Sequence, residues 1–84
     1  MVIMNMTVKP NERCIYSIRM RRDSRVNQAR MHKKPTNGRI ERLKASHFVY
    51  AAPAAGKDQF IILHDGERRR RAATMAIIYN VTVR

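Results

Sequence analysis

Acid is scarce in this chain. Six Asp and Glu stand against eighteen Lys and Arg, a net charge of +12 over 84 residues. Self-repulsion on that scale works against a small compact state, and a polyanion relieves it. Nucleic acid is the commonest such partner, with anionic membrane or an acidic protein surface second. Cysteine is nearly missing. Cys14 stands alone, which excludes an internal disulfide framework and a multi-cysteine zinc site. Glycine occurs at Gly38, Gly56 and Gly66, too isolated to form a phosphate-cradling loop. His32, His47 and His64 do not fall at ligand spacing, so no metal and no cofactor are expected. No apolar run approaches the ~20 residues of a membrane helix. The start "MVIMNMTVKP" lacks the charged lead and cleavage site of a signal peptide. A soluble cytoplasmic chain is the expectation, with no membrane partner.

What is present suits one small domain, residues 1–84. The hydrophobic share, 44%, is that of an ordinary globular chain. Val2, Met4, Met6 and Val8 alternate with Ile3, Asn5 and Thr7, the period of a strand. Cys14, Tyr16, Ile18 and Met20 repeat the pattern, and Pro10 presets a turn between the two. From Arg21 to Lys34 the apolar positions are Val26, Ala29 and Met31, compatible with a helix capped by Asp23 or Ser24. "IERLKA" reads as a short helical turn with Ile40 and Leu43 inward. "SHFVYAA" is a strand. "QFIIL" reads as a central strand buried on both faces. "ERRRRAATMA" favours helix, with Asp65 as its cap. A hairpin closed at Asp65-Gly66 would instead run four arginines along a strand. "IIYNVTVR" is a final strand.

The expected class is therefore α+β, about five β-strands with one or two short helices. Its order is ferredoxin-like, or it is a small twisted sheet with a basic finger over residues 21–39.

Ten bases fall between Arg19 and Lys44: Arg19, Arg21, Arg22, Arg25, Arg30, Lys33, Lys34, Arg39, Arg42 and Lys44. Asp23 and Glu41 are the acids among them. A solvated helix face would interleave acids, so the cluster points to phosphate contact by counterion release. Arg68, Arg69, Arg70 and Arg71 form a second cluster that suits an anion. Phe48 and Tyr50 share a strand face. Exposed, they would be a base-stacking platform; turned inward, they are core.

If "SHFVYAA" and "QFIILH" form a hairpin, His47 faces His64. One imidazole could then take a 2′-hydroxyl proton while the other protonates the leaving oxygen. "ASHFVY" after "NGRIERLK", followed by "FIILHDGE", resembles the Gly-Ser-His and second-strand region of the small mRNA-cleaving HicA toxins. It also looks loosely like the last strands of RelE-type toxins. The first resemblance implies a catalytic role for His47, with Ala45 standing where that family has glycine.

The expected function is a small basic nucleic-acid-binding protein that grips phosphate with its arginine clusters, RNA favoured over DNA, and is not an enzyme. One alternative is a histidine-dependent endoribonuclease of the toxin type, with His47 and His64 as candidates. Another is a phage- or plasmid-type inhibitor docking on a host protein's nucleic-acid site.

Overall fold

The structure, a computed structural model, describes residues 2–17 and 24–84. Its elements are β1 (Val2–Val8), β2 (Arg13–Ser17), β3 (Ser24–Lys33), β4 (Arg39–Leu43), β5 (His47–Ala51), β6 (Gly56–Arg68) and β7 (Arg71–Val83). They form two sheets, one ordered β1-β7-β6-β3 and the other β2-β5-β4. The α+β expectation is corrected: no helix occurs among the described residues, and the class is all-β.

The alternating segments fold as their period dictates. In β6 the even positions Phe60, Ile62 and His64 are buried, while Ile61 and Leu63 are half-exposed. "QFIIL" is thus central in its sheet but buried on one face. In β7, Ile77, Tyr79, Val81 and Val83 turn inward. β5 supplies Phe48 and Tyr50 from the opposite sheet, both fully buried. The rings meet between the layers. Phe48 lies edge-on to Phe60 and Tyr79 at 5.5 and 4.9 Å, and Tyr50 stacks on Phe60 at 5.4 Å. Few aromatics suffice because four of the five converge there, each pair adding roughly 0.5–1.5 kcal/mol beyond its buried area.

The three segments expected to be helical give way to strands and a hairpin turn among the described residues, for identifiable reasons. β3 pairs antiparallel with β6, with register shifts between Val26 and Gln28 and between Met31 and Lys33. The first bulge inserts a residue, so the inward positions Val26 and Ala29 lie three apart. That spacing imitates one face of a helix. β4 repeats the device: a shift between Ile40 and Arg42 sets the half-buried Ile40 and Leu43 three apart. The arginine run forms no helix because β6 and β7 pair continuously from Gly56↔Val83 to Arg68↔Arg71. Nor does Asp65-Gly66 make the turn. Gly66 lies within β6, where an added Cβ would collide with the Arg25 carbonyl oxygen across the bulge. The turn is Arg69-Arg70, with φ of 52° and 63°.

β1 and β2 form no hairpin. β1 runs parallel to β7, whereas β2 pairs with β5 in the other sheet. Asn11, at φ 64°, lets the chain cross between layers, and its amide donates to the Ala52 carbonyl at 2.8 Å. Asn tolerates that left-handed conformation better than most residues.

One buried carboxylate ties the layers together. Asp58 on β6 accepts from the Thr36, Gly38 and Gln59 amides at 2.8, 2.8 and 2.9 Å, and from the Tyr50 hydroxyl at 2.6 Å. Burial alone would raise its pKa. The Tyr50 hydroxyl and the amides outweigh that and hold it at about 2. Thr36 and Gly38 lie on the crossover between β3 and β4, and Tyr50 belongs to the second sheet. Asp58 thus joins three separate parts of the chain.

Candidate nucleic-acid interface

The molecule is long, 42 × 18 × 17 Å, because the β6–β7 hairpin outreaches the five-residue strands of the second sheet. His64 marks the limit of cover. Its Nδ1 lies 3.3 Å from the Ala45 carbonyl oxygen, in the turn between β4 and β5. Beyond it, Glu67 to Thr74 are exposed. Arg68 is four residues past His64, roughly 13 Å farther along the strand. The β3 strand starts opposite this end, with Ser24↔Arg68 and Arg25↔Glu67.

Alternation divides the arginines between two faces. Arg68 and Arg71 are opposed on the face that continues the core side; Arg25 shares the outer face with Glu67 and Ala72. Arg69 and Arg70 occupy the tip. Positive φ at both central residues is what a type I′ hairpin requires, and Asn-Gly usually supplies it. Two arginines there carry backbone strain of order 1 kcal/mol each. Among the described residues, no ion pair engages Arg25, Arg68, Arg70 or Arg71.

Other predicted contacts are already committed or lie elsewhere. Arg30 forks onto Asp65 at 2.6 and 3.0 Å, and Thr74 donates to the same carboxylate at 2.7 Å. Arg30 first, then Thr74, hold the Asp65 pKa below the carboxylate range. Lys33 donates to Gln59 at 2.7 Å. Arg39 and Arg13 both engage Glu41, at 2.9 and 2.7 Å, and Arg39 is first in lowering its pKa. Arg13 and Arg39 flank Ala51 at the far end of β5, the opposite pole from the hairpin tip. Lys34, Arg42 and Lys44 are exposed; Lys44 enters the turn beside His64, its amide donating to the His47 carbonyl at 2.8 Å. Arg19, Arg21 and Arg22 lie outside the described residues, as do Ile18, Met20 and Asp23. Of the two clusters read from the sequence, the one from Arg19 to Lys44 is therefore divided among the described residues: Arg25, Arg30 and Lys33 line the outer face of β3, while Arg39 lies at the opposite pole. Arg68 to Arg71 stay together at the tip.

The histidine arrangement does not form. β5 and β6 belong to different sheets, so no hairpin register sets His47 opposite His64. His64 is 3% exposed, and burial lowers its pKa against the opposing pull of the Ala45 carbonyl and Asp65. Its Nδ1 must carry the proton, since a carbonyl only accepts. Nε2 is then a bare acceptor, buried and without a partner among the described residues. The stacking platform is likewise absent, since Phe48 and Tyr50 are core. Tyr16 stacks on Phe48 at 5.4 Å from the half-buried side.

Two features escaped the sequence reading. Asp58 looked like part of a loop, and nothing in "PAAGKD" marks it as a junction. The other is a crevice of about 650 Å³ between the sheets, lined by Val2, Met4, Tyr16, Phe48, Met75 and Tyr79 among others. The Tyr79 hydroxyl is buried without a partner among the described residues, and burial pushes its pKa up to about 12.

No family model matches the chain, and no curated protein is similar to it in sequence. An endo-fucoidan hydrolase from glycoside hydrolase family 107 superposes on 98% of this chain at 15% identity and a TM-score of 0.47. This chain spans 13% of that one's length. A likeness of that degree carries no argument about fold or activity.

Proposed function

We propose that this chain is a nucleic-acid-binding module that holds backbone phosphate with the β6–β7 tip and the neighbouring edge of β3. The supporting observation is the composition of the turn. Arg69 and Arg70 stand where the backbone favours Asn and Gly, at φ of 52° and 63°, with Arg68 and Arg71 on either side. Strain retained at a solvent-exposed turn is a reason to look for function there. A guanidinium cluster on a projecting two-stranded ribbon has an evident use. Its forks match phosphate oxygens, and a ribbon is narrow enough for the major groove of B-form DNA, about 12 Å wide. That geometry moves the preferred partner from RNA towards duplex DNA, since the deep A-form major groove excludes such an element.

The test is anisotropy of labelled duplex DNA and single-stranded RNA over a salt series. Four to six phosphates neutralised would give a slope of about −4 to −5 in log K against log salt. Arg68→Glu with Arg71→Glu should flatten that slope by about 2 or more and leave the melting temperature unchanged. Weak, salt-independent binding to both would refute the proposal and favour a protein partner. Shortened RNA on a gel would restore a hydrolytic reading.

A further inference from the structure

Among the described residues β1 is an edge strand, and it carries no charged residue. The other three sheet edges all carry bases: Arg25, Arg30 and Lys33 on β3, Arg13 on β2, Arg39 and Arg42 on β4. Exposed edges recruit further strands unless charge, proline or a bulge blocks them. Each basic edge is blocked against another copy of a +12 chain, and β1 is not. It also exposes apolar side chains on both faces, with Val2 39%, Ile3 61% and Met4 47% accessible.

The sequence of the strand narrows the choice of partner. "VIMNMTV" reads nearly the same in both directions about Asn5. A two-fold axis through Asn5 sets an antiparallel second copy with Val2 opposite Val8, Met4 opposite Met6 and Asn5 opposite Asn5. Ile3 opposite Thr7 is the one unlike pair. This register keeps inward positions with inward positions, which a one-residue slip would not. The polar row across the outer face ends at the same point. Lys33 donates to Gln59 at 2.7 Å, Gln59 to Asn80 at 2.9 Å, and Asn80 reaches Asn5 at 3.5 Å. Each donor points towards β1, so the Asn5 amide nitrogen lies at the free edge. An asparagine across the axis can accept from it and donate back.

We infer that β1 is a self-association edge, and that two copies pair antiparallel about Asn5 into one eight-stranded sheet. The inward-facing Val2 and Met4 side chains of each copy then lie beside Val8 and Met6 of the other. Since β7 is parallel to β1 with Asn5↔Asn80, Arg71 lies nine residues from the axis, roughly 30 Å. The two arginine tips therefore point in opposite directions, roughly 60 Å apart. An isologous contact of this kind closes on itself and does not propagate.

The inference is tested by sedimentation of the whole chain over a concentration series at low and high salt, beside Asn5→Lys. The wild type should double in mass as concentration rises, more readily at high salt, where mutual repulsion is screened. Asn5→Lys places like charges directly opposite one another and should stay monomeric with an unchanged melting temperature. In case that variant folds poorly, amide exchange is followed in the wild type. Amides in β1 that point away from β7 should gain protection with concentration, and those at the edges of β2, β3 and β4 should not. A mass that stays monomeric at every concentration would overturn the inference. So would a dimer that survives in folded Asn5→Lys, or protection appearing at another edge.

Discussion

Replacing Asp58 by Asn removes a charge and almost no volume, so its effect isolates the carboxylate. One oxygen accepts from the Thr36 and Gln59 amides, and the other from the Gly38 amide and the Tyr50 hydroxyl. An asparagine offers one oxygen. Whichever way its amide is turned, an NH2 group faces at least one buried backbone N–H. Tyr50 can rotate its hydroxyl to accept, but Gly38 cannot. An unsatisfied buried donor costs about 1–3 kcal/mol, and the remaining bonds lose their charge assistance. We expect a loss of about 3 kcal/mol, against a total of about 4–13 for a chain this size. With a urea dependence near 1 kcal/mol per molar, the midpoint should fall by about 3 M. The acid limb supplies a second readout. The folded pKa of about 2 lies below the ordinary 3.8, so this contribution is complete above pH 3.8 and is lost as pH falls towards 2. It amounts to about 2 kcal/mol. The gap between wild type and Asp58→Asn should narrow by that amount over this window. A midpoint within about 0.5 M of wild type at neutral pH, or a gap that ignores pH, would refute the reasoning.

Further expectations follow from the same contacts. Gly66→Ala drives a methyl group into the Arg25 carbonyl and should cost about 1–3 kcal/mol or more in urea unfolding, through displaced β3 pairing. The lowered pKa of His64 means the unfolded state binds the proton more readily. Stability should therefore be complete above about pH 6.5 and decline as pH falls below it. His64→Asn, whose amide can approach the Ala45 carbonyl, should remove that decline in a pH series of melting curves. Arg69→Asn with Arg70→Gly relieves the turn and should raise stability by about 1–2 kcal/mol. Titration of the same variant should show weaker binding to duplex DNA.

Much of the fold could be read wherever the period was undisturbed. Val2 to Val8, His47 to Ala51 and Ile77 to Val83 alternate cleanly, and all three are strands. β3 and β4 were illegible because a bulge changes the spacing of inward residues from two to three. Val26 with Ala29 and Ile40 with Leu43 then look helical. The turn was misplaced because Asp65-Gly66 is the strongest local hairpin signal. Its glycine is used instead for close approach of β3. Sheet partners were out of reach: Phe48 and Tyr50 pack against Phe60 from another layer, and no local pattern says so. Of the candidate site, the identity of the bases was legible and their distribution was not. Ion pairing by Glu41 and Asp65 depends on strands distant in sequence.

The parallel pairing of β1 with β7 bears on the order in which the chain can become a protein. Val2 finds its partner at Ile77, and Val8 at Val83. β7 also pairs with β6 and supplies Ile77, Tyr79, Val81 and Val83 to the core. During synthesis β1 therefore waits, with Val2, Ile3 and Met4 uncovered, until Ile77 to Val83 have left the ribosome. Pairings of such long range are slow to form. Through that interval the same uncharged, apolar strand is open to other nascent chains, and the surrounding positive charge is its main protection.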